Sequence, residues 1–319
     1  MAAARLPTLP YLAPWYRLAE VEGGVALEHG HSVVRLEGAA VRRLLPALLP
    51  LLDGTRTVDQ LVSCVGEPAR PAVERALRLL AEHRLVVEGP PGHESDPAAA
   101  AASFVAAASP ANTPGALAEN LRRARVGVLG SGALAAEVAR SLRGGGIGHV
   151  AHGAGPERLD LLVASPTPSQ TGLLADWNRQ ALGRRLVWLQ VLPFDGRFAA
   201  VGPLFVPGET CCRQCYVLRR HACVPYPDEF ESLEASPVTA ITPAPLRTAI
   251  AGLAALVAVR WLAARDPHLP GALFALEAAE GLSLRRHVVH RVPRCPVCSP
   301  AASGGRPLPW FPEVGVGNG

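Results

Sequence analysis

The stretch Arg125-Val126-Gly127-Val128-Leu129-Gly130-Ser131-Gly132-Ala133-Leu134-Ala135 decides how this chain is read. A short apolar run, a Gly-x-Gly turn and a run with helical apolar periodicity through Leu142 spell strand, tight turn and helix. The triplet Gly144-Gly145-Gly146 stops that helix. Downstream, strands are expected over 159–164, 185–191 and, in antiparallel sense, 198–206. A long apolar helix from Pro245 and a strand over 287–292 complete the pattern. Alternation of strands and helices predicts an α/β domain with a mostly parallel sheet.

Upstream, the first ninety residues read as a separate unit. Between Tyr16 and Leu36 short extended runs alternate with Glu22-Gly23-Gly24 and His29-Gly30 turns. Val25 and Leu27 alternate with polar neighbours, and His31, Val33 and Arg35 alternate with Ser32, Val34 and Leu36. This predicts a small antiparallel sheet with a strand at 31–36. Val41, Leu44, Leu45, Leu48 and Leu52 recur at helical spacing, with Pro46 and Pro50 expected to bend or restart the helix. Thr57-Val58-Asp59-Gln60 is a capping box. A third helix over 71–83 gathers Val73, Ala76, Leu77 and Leu80 on one face, and a closing strand is expected at 85–87. A sheet plus three helices is a winged-helix-like arrangement. The expected division is therefore a domain over 5–89, a Pro/Ala/Ser/Gly-rich linker over 90–114 whose alanine run has helical potential, and an α/β domain over 115–319.

Composition narrows the chemistry. The chain has 319 residues, 49% hydrophobic and 18% charged, enough for two globular cores and too apolar for disorder. All 31 basic residues are arginine. With no lysine, a P-loop lysine, a Schiff-base lysine and a lysine on nucleotide phosphates are all excluded. A net charge of +4, spread along the chain and interleaved with carboxylates, argues against a nucleic-acid stripe. The apolar run after Pro245 is interrupted by Arg247 and Arg260, short of the ~20 residues of a membrane span, so a buried helix is expected. No export signal is evident at the start, and a cytoplasmic location is expected.

The seven cysteines carry the strongest chemical signal. Cys212-Arg213-Gln214-Cys215 and Cys295-Pro296-Val297-Cys298 are two C-x-x-C pairs, each able to aim both sulfurs at one ion. Together they predict a closed tetrathiolate site for structural zinc. Cys64, Cys211 and Cys223 are left over, and Cys211 is an alternative ligand of less usual spacing. The loop Gly130-Ser131-Gly132 has the first two glycines of a dinucleotide fingerprint. After Gly148, however, the chain reads His149-Val150-Ala151-His152-Gly153, without the carboxylate a bound ribose needs. ATP is not expected as a cofactor, and Gly130 and Gly132 are read as a degenerate nucleotide loop.

The order of Gly-x-Gly strand–helix, C-x-x-C, apolar helix and final Cys-Pro-x-Cys resembles the ubiquitin-activating-enzyme-like (ThiF and MoeB type) superfamily, whose members adenylate a C-terminal carboxylate. The match is carried by Pro207-Gly208-Glu209-Thr210-Cys211-Cys212-Arg213-Gln214-Cys215 and by Cys295-Pro296-Val297-Cys298. The run Ser32-Val33-Val34-Arg35-Leu36-Glu37-Gly38, followed by Leu48-Leu49-Pro50-Leu51-Leu52-Asp53-Gly54-Thr55-Arg56-Thr57, resembles the leader-recognition element of azoline-forming peptide biosynthesis. Nearly the whole chain is thus similar to the ThiF-like, leader-binding partner of YcaO cyclodehydratases. The resemblance implies a winged-helix-like leader domain plus a Rossmann-like domain with structural zinc, and a precursor leader peptide and a YcaO enzyme as partners. It implies no catalytic residue of this chain's own; a homodimer is compatible with it. A leader adding to the edge strand would meet Ser32, Val33, Val34, Arg35 and Leu36, with Arg75 and Arg78 on the third helix facing leader carboxylates. Two other readings stand beside it: an adenylyltransferase with a divergent site, and a winged-helix regulator. The tail Pro307-Leu308-Pro309-Trp310-Phe311 is a candidate docking segment.

Overall fold

The computed structural model describes residues 6–13, 17–29, 32–90, 92, 95–108, 112–153, 158–234 and 241–299. His31 and the aromatic tail at 307–311 lie outside them. The chain divides into two compact units. One comprises 1–124 with 142–149 and 259–265; the other comprises 125–141, 150–258 and 266–319.

In the first unit, β1 (Pro10–Leu12) is followed by β2 (Arg17–Val21), β3 (Gly24–His29) and β4 (Ser32–Glu37). The last three form the expected antiparallel sheet in the order β2-β3-β4. Period-two alternation works as read: Val25, Leu27 and Leu36 are buried, while Val33 and Arg35 are exposed. Gly24 is needed for this approach, because a Cβ there would sit 1.8 Å from the Leu36 carbonyl oxygen. Helix α1 (Ala39–Leu48) contains Pro46, and Pro50 restarts the chain as a single 3-10 turn over Leu49–Leu51. Helix α2 (Val58–Val65) starts at the capping box: Gln60 N–H donates to Thr57 Oγ1 at 3.3 Å and Thr57 N–H to Gln60 Oε1 at 2.8 Å. Helix α3 (Arg70–Glu82) buries Val73, Leu77 and Leu80. These residues close one core with Leu45, Leu48, Leu52, Leu61 and Val62.

One pairing lay outside the sequence reading. Strand β5 (Val86–Glu88) pairs antiparallel with β1, not with the three-stranded sheet. In the segment read as a linker with helical potential, the alanine run takes the helical form as α4 (Pro97–Ala108), which packs on α5 (Pro114–Arg123), and one compact unit includes 1–124. The reason is local. The alanine run has high helix propensity, and Asp96 Oδ1 accepts the N–H groups of Ala98 and Ala99 at 3.1 and 3.2 Å, fixing its start.

The second unit is built on a seven-stranded sheet. Strand β6 (Arg125–Leu129) leads into α6 (Ala133–Gly144), whose last residues belong to the first unit, as does the start of β7 (His149–His152). Then come β8 (Leu161–Ala164), α7 (Leu174–Arg184), β9 (Trp188–Leu192) and β10 (Phe198–Phe205). Helices α8 (Arg213–His221), α9 (Pro227–Glu234) and α10 (Ala244–Ala264) precede β11 (Ala272–Glu277) and β12 (Ser283–Val288). The strand order is β12-β11-β10-β9-β8-β6-β7. The β6–β8 and β8–β9 pairs are parallel; β9–β10, β10–β11 and β11–β12 are antiparallel. The parallel expectation thus holds for the first half of the sheet only. Strand β11 was not expected, and β12 lies earlier than the expected 287–292. Trp188 stacks on Phe205 with ring centroids 4.4 Å apart, locking β9 to β10. Helix α10 is long and apolar enough to cross a membrane by those criteria alone. It nevertheless buries Ile250, Ala251, Ala254, Ala258 and Leu262 inside the fold, as expected of a core helix.

Candidate metal centre and candidate peptide-binding edge

The end of β10 runs into Val206 and a turn held by Thr210, whose Oγ1 accepts the Val206 N–H at 2.9 Å. This turn sets Cys212 as the N-cap of α8, and one helical turn carries Cys215 back beside it. The second pair arrives on the chain beyond β12. Arg219 Nε donates to the His290 carbonyl at 2.6 Å and its Nη2 to the Arg291 carbonyl at 3.1 Å, which pins that segment against α8.

All four sulfurs lie within 4.8 Å of one another, with Cys212, Cys215 and Cys295 buried and Cys298 half-buried. Cys212 Sγ is 3.9 Å from Cys215 Sγ and 3.7 Å from Cys295 Sγ, and Cys215 Sγ is 3.5 Å from Cys298 Sγ. These separations are far too long for disulfides, whose S–S bond is about 2.05 Å. A tetrahedron with metal–sulfur bonds of about 2.3 Å has edges of about 3.8 Å, so the cluster fits one tetrahedral ion with no open position. The Val292 N–H points at Cys215 Sγ from 3.4 Å, a polar contact suited to a ligating sulfur.

Electrostatics agree with the geometry. Burial pushes the Cys212 thiol up, reinforced by the neighbouring Cys215 and Cys298 sulfurs. Cys298 is pushed up to about 11, first by burial and then by Cys215. Burial also opposes ionisation of Cys295, but the N–H groups of Val297 and Cys298 and the adjacent sulfurs outweigh it and bring that thiol below its ordinary value. Crowded thiols cannot all ionise by themselves; a divalent ion at the centre stabilises all four thiolates together. Cys211, the alternative ligand, is outside the cluster. It is buried among apolar side chains, and burial pushes its thiol up to about 12. Cys64 and Cys223 are exposed. Asn178 was missed by sequence reading. It is buried, and its Oδ1 accepts the Arg213 N–H at 3.0 Å, satisfying the first donor of α8; nothing in a position 35 residues upstream signals it.

The glycine loop is engaged by neighbouring parts of the chain. Gly130 and Gly132 have φ of +118° and +89°, and a Cβ on Gly130 would lie 1.8 Å from the Ser165 carbonyl oxygen. The Ser131 N–H, of the kind that cradles a phosphate, donates to Gln170 Oε1 at 3.1 Å, and Thr167 N–H shares that acceptor at 3.2 Å. At the end of β7, where a ribose-binding carboxylate would stand, His152 Nε2 lies 3.2 Å from the Gly130 carbonyl oxygen.

In the first unit, Ser32, Val33, Val34, Arg35 and Leu36 all fall on β4, which has β3 on one side and no strand on the other among the described residues. The Gly38 N–H bonds the Gly23 carbonyl at 3.1 Å, and Gly24 pairs with Glu37. The alternation of an antiparallel ladder then turns the main-chain groups of Leu36, Val34 and Ser32 toward β3, and those of Val33 and Arg35 outward. Val33 is 66% exposed. Arg35 pairs with Glu37 and donates to the Glu22 carbonyl at 2.9 Å. Arg75 and Arg78 lie exposed on α3, with Arg78 Nη2 3.3 Å from Glu74 Oε2. Helix α1 packs on β3 and β4, whereas α3 packs chiefly on α1, α2 and β5. The two residue sets therefore sit on different elements.

No family model matches the chain, and no curated protein is significantly similar to it. Solved structures are more informative. A heterocyclase in complex with substrate and cofactor is 26% identical, with a TM-score of 0.69 over 91% of this chain and 39% of its own. The heterocyclase TruD is 25% identical, with a TM-score of 0.69 over 92% of this chain and 43% of its own. The chain is similar to heterocyclases. It spans about two fifths of their length. MccB of E. coli, solved with succinimide, shares the fold at 15% identity and a TM-score of 0.67, over 91% of this chain and 99% of its own.

Proposed function

We propose that this chain binds the leader of a ribosomally made precursor peptide and presents it to a YcaO cyclodehydratase for thiazoline or oxazoline formation. The observation that carries this reading is the heterocyclase likeness, which covers nearly all of this chain and only two fifths of the heterocyclases. On this reading the cyclising catalyst lies outside the matched region. Holding the leader raises the effective concentration of the core peptide at that catalyst.

The leader adds as an extended strand along β4, bonding the outward groups of Val33 and Arg35, with the Val33 side chain in contact. Arg75 and Arg78 then contribute to the choice of leader through its carboxylates. The tetrathiolate holds zinc in a structural role, stapling the chain beyond β12 to the start of α8. A cytoplasmic location, where thiols stay reduced, suits it. The domain over 5–89 serves as a winged-helix-like leader module. The glycine loop holds no nucleotide: Gln170 occupies its donor, His152 stands in place of the carboxylate, and lysine is lacking.

Calorimetric titration of the full chain with a candidate leader tests this, alongside ATP–pyrophosphate exchange. Saturable leader binding, no exchange, and cyclisation by the YcaO enzyme that depends on added chain are expected. Clear exchange with no heat from any leader would establish the adenylyltransferase reading instead.

A further inference from the structure

The second unit has an open edge of its own. Strand β12 terminates the seven-stranded sheet and, among the described residues, pairs with β11 alone. An edge strand ordinarily buries one face, yet from Leu284 to Val288 every residue of β12 is exposed. Leu282, Leu284 and Val288 are 84%, 55% and 46% exposed. Between them stand Arg285, Arg286 and His287. Among the described residues Arg285 and His287 have no ion-pair partner, and Arg286 donates to the His268 carbonyl at 2.5 Å. The nearby carboxylates are already engaged, since Arg197 holds both Glu277 and Glu280.

Register shows what this edge offers. The Val289 N–H bonds the Gly271 carbonyl at 2.9 Å, and Ala272 pairs with Val288. By ladder alternation the main-chain groups of Ser283, Arg285 and His287 turn toward β11, while those of Leu284, Arg286 and Val288 face outward. The side chains of Leu284, Arg286 and Val288 share one face, where Leu284 lies opposite Leu276 and Arg286 opposite Phe274.

We propose that β12 is a docking edge for an extended, carboxylate-bearing segment of a partner protein. A second copy of this strand is disfavoured as occupant, because antiparallel self-pairing brings arginines against arginines. An acidic strand answers the free ladder groups, the apolar residues and the unpaired positive charge together. A nucleic acid answers only the last. This surface is independent of leader binding along β4, which belongs to the other unit.

The test titrates a fluorescent octapeptide alternating valine and glutamate into the full chain, read by anisotropy. Arms with lysine replacing glutamate and with a thymidine oligonucleotide run in parallel. The native chain should bind the acidic peptide saturably and in a salt-sensitive way, and the lysine peptide not at all. Leu284→Pro removes one outward N–H and should weaken binding roughly tenfold or more with melting nearly unchanged, whereas Leu284→Ala should weaken it less. Reversal by Arg285→Glu with Arg286→Glu should abolish acidic-peptide binding and admit the lysine peptide. No binding by the native chain, equal binding by Leu284→Pro and the native chain, or tighter binding of the oligonucleotide would each overturn the proposal. Should Leu284→Pro melt early, the charge-reversed variant decides, and unchanged acidic-peptide binding there overturns the proposal too.

Discussion

The cysteine cluster and the β4 edge are built on opposite principles. Around Cys212, Cys215 and Cys295 every direction is occupied: sulfur meets sulfur, the Val292 N–H closes on Cys215, and apolar side chains exclude water. Along β4, one side is a complete ladder and the other is unpaired among the described residues, with Val33 standing in solvent. A closed centre suits structural work, since its energy is spent inside the fold. An open edge suits recognition, because its unsatisfied main-chain groups can be met by another chain. On the proposed reading, the same chain separates a part that must not change from a part that accepts a guest.

The sharpest way to break this contrast is to open the closed centre. Cys215→Ser or Cys298→Ser should abolish stoichiometric zinc and remove stabilisation on the order of 10 kcal/mol from the second unit, read by elemental analysis and thermal melting. Cys211→Ser should retain the metal, since its sulfur lies outside the cluster. Lowering the pH should release the ion, because protons compete for thiolates that lack stability without it; a chelator-sensitive melting transition followed against pH checks this.

Next in size is the core beneath the open edge. Leu77→Ala, fully buried on α3, should cost about 2–5 kcal/mol in denaturant melts while leaving metal content unchanged. The edge itself is dissected by a pair of prolines. Val33→Pro removes an outward N–H and should weaken leader binding roughly tenfold with little loss of stability. Val34→Pro breaks a bond to β3 and should destabilise the sheet as well. Identical outcomes for the two would refute the assigned register.

The smallest effect concerns Asp53. Hydrogen bonds from the Thr55 hydroxyl and N–H, followed by Arg56, hold its carboxyl at about 2, below the ordinary value. A depressed folded-state value means that its contribution is present above the unfolded value and fades as pH falls through about 2. Asp53→Asn should therefore remove a slight acid-side dependence of the melting temperature and leave neutral-pH leader binding unchanged.

Much of this could be read from residue order. The Gly-x-Gly turn after Val126 and Val128 placed β6 and α6, because a strand–turn–helix is set by local periodicity and by glycine's freedom at positive φ. The Thr57 and Gln60 capping box formed as expected, since its partners lie three residues apart. The C-x-x-C spacing brought each cysteine pair together for the same reason. Features between distant segments were not legible: the β1–β5 pair, strand β11, the hold of Asn178 on α8, and the hold of Gln170 on Ser131. The alanine run was open between spacer and helix, because composition alone does not separate an alanine-rich spacer from a helix with a partner to pack against.

By itself, then, the sequence determined the local units, the absence of lysine chemistry and the identity of the four thiols. Local geometry follows from neighbours in the chain. Only the tertiary structure decided how closely the two predicted cysteine pairs converge, that Val33 instead of Val34 faces outward, and that the glycine loop's donor is already taken. Each of these depends on register and on contacts between residues far apart in the chain, which no short-range pattern encodes.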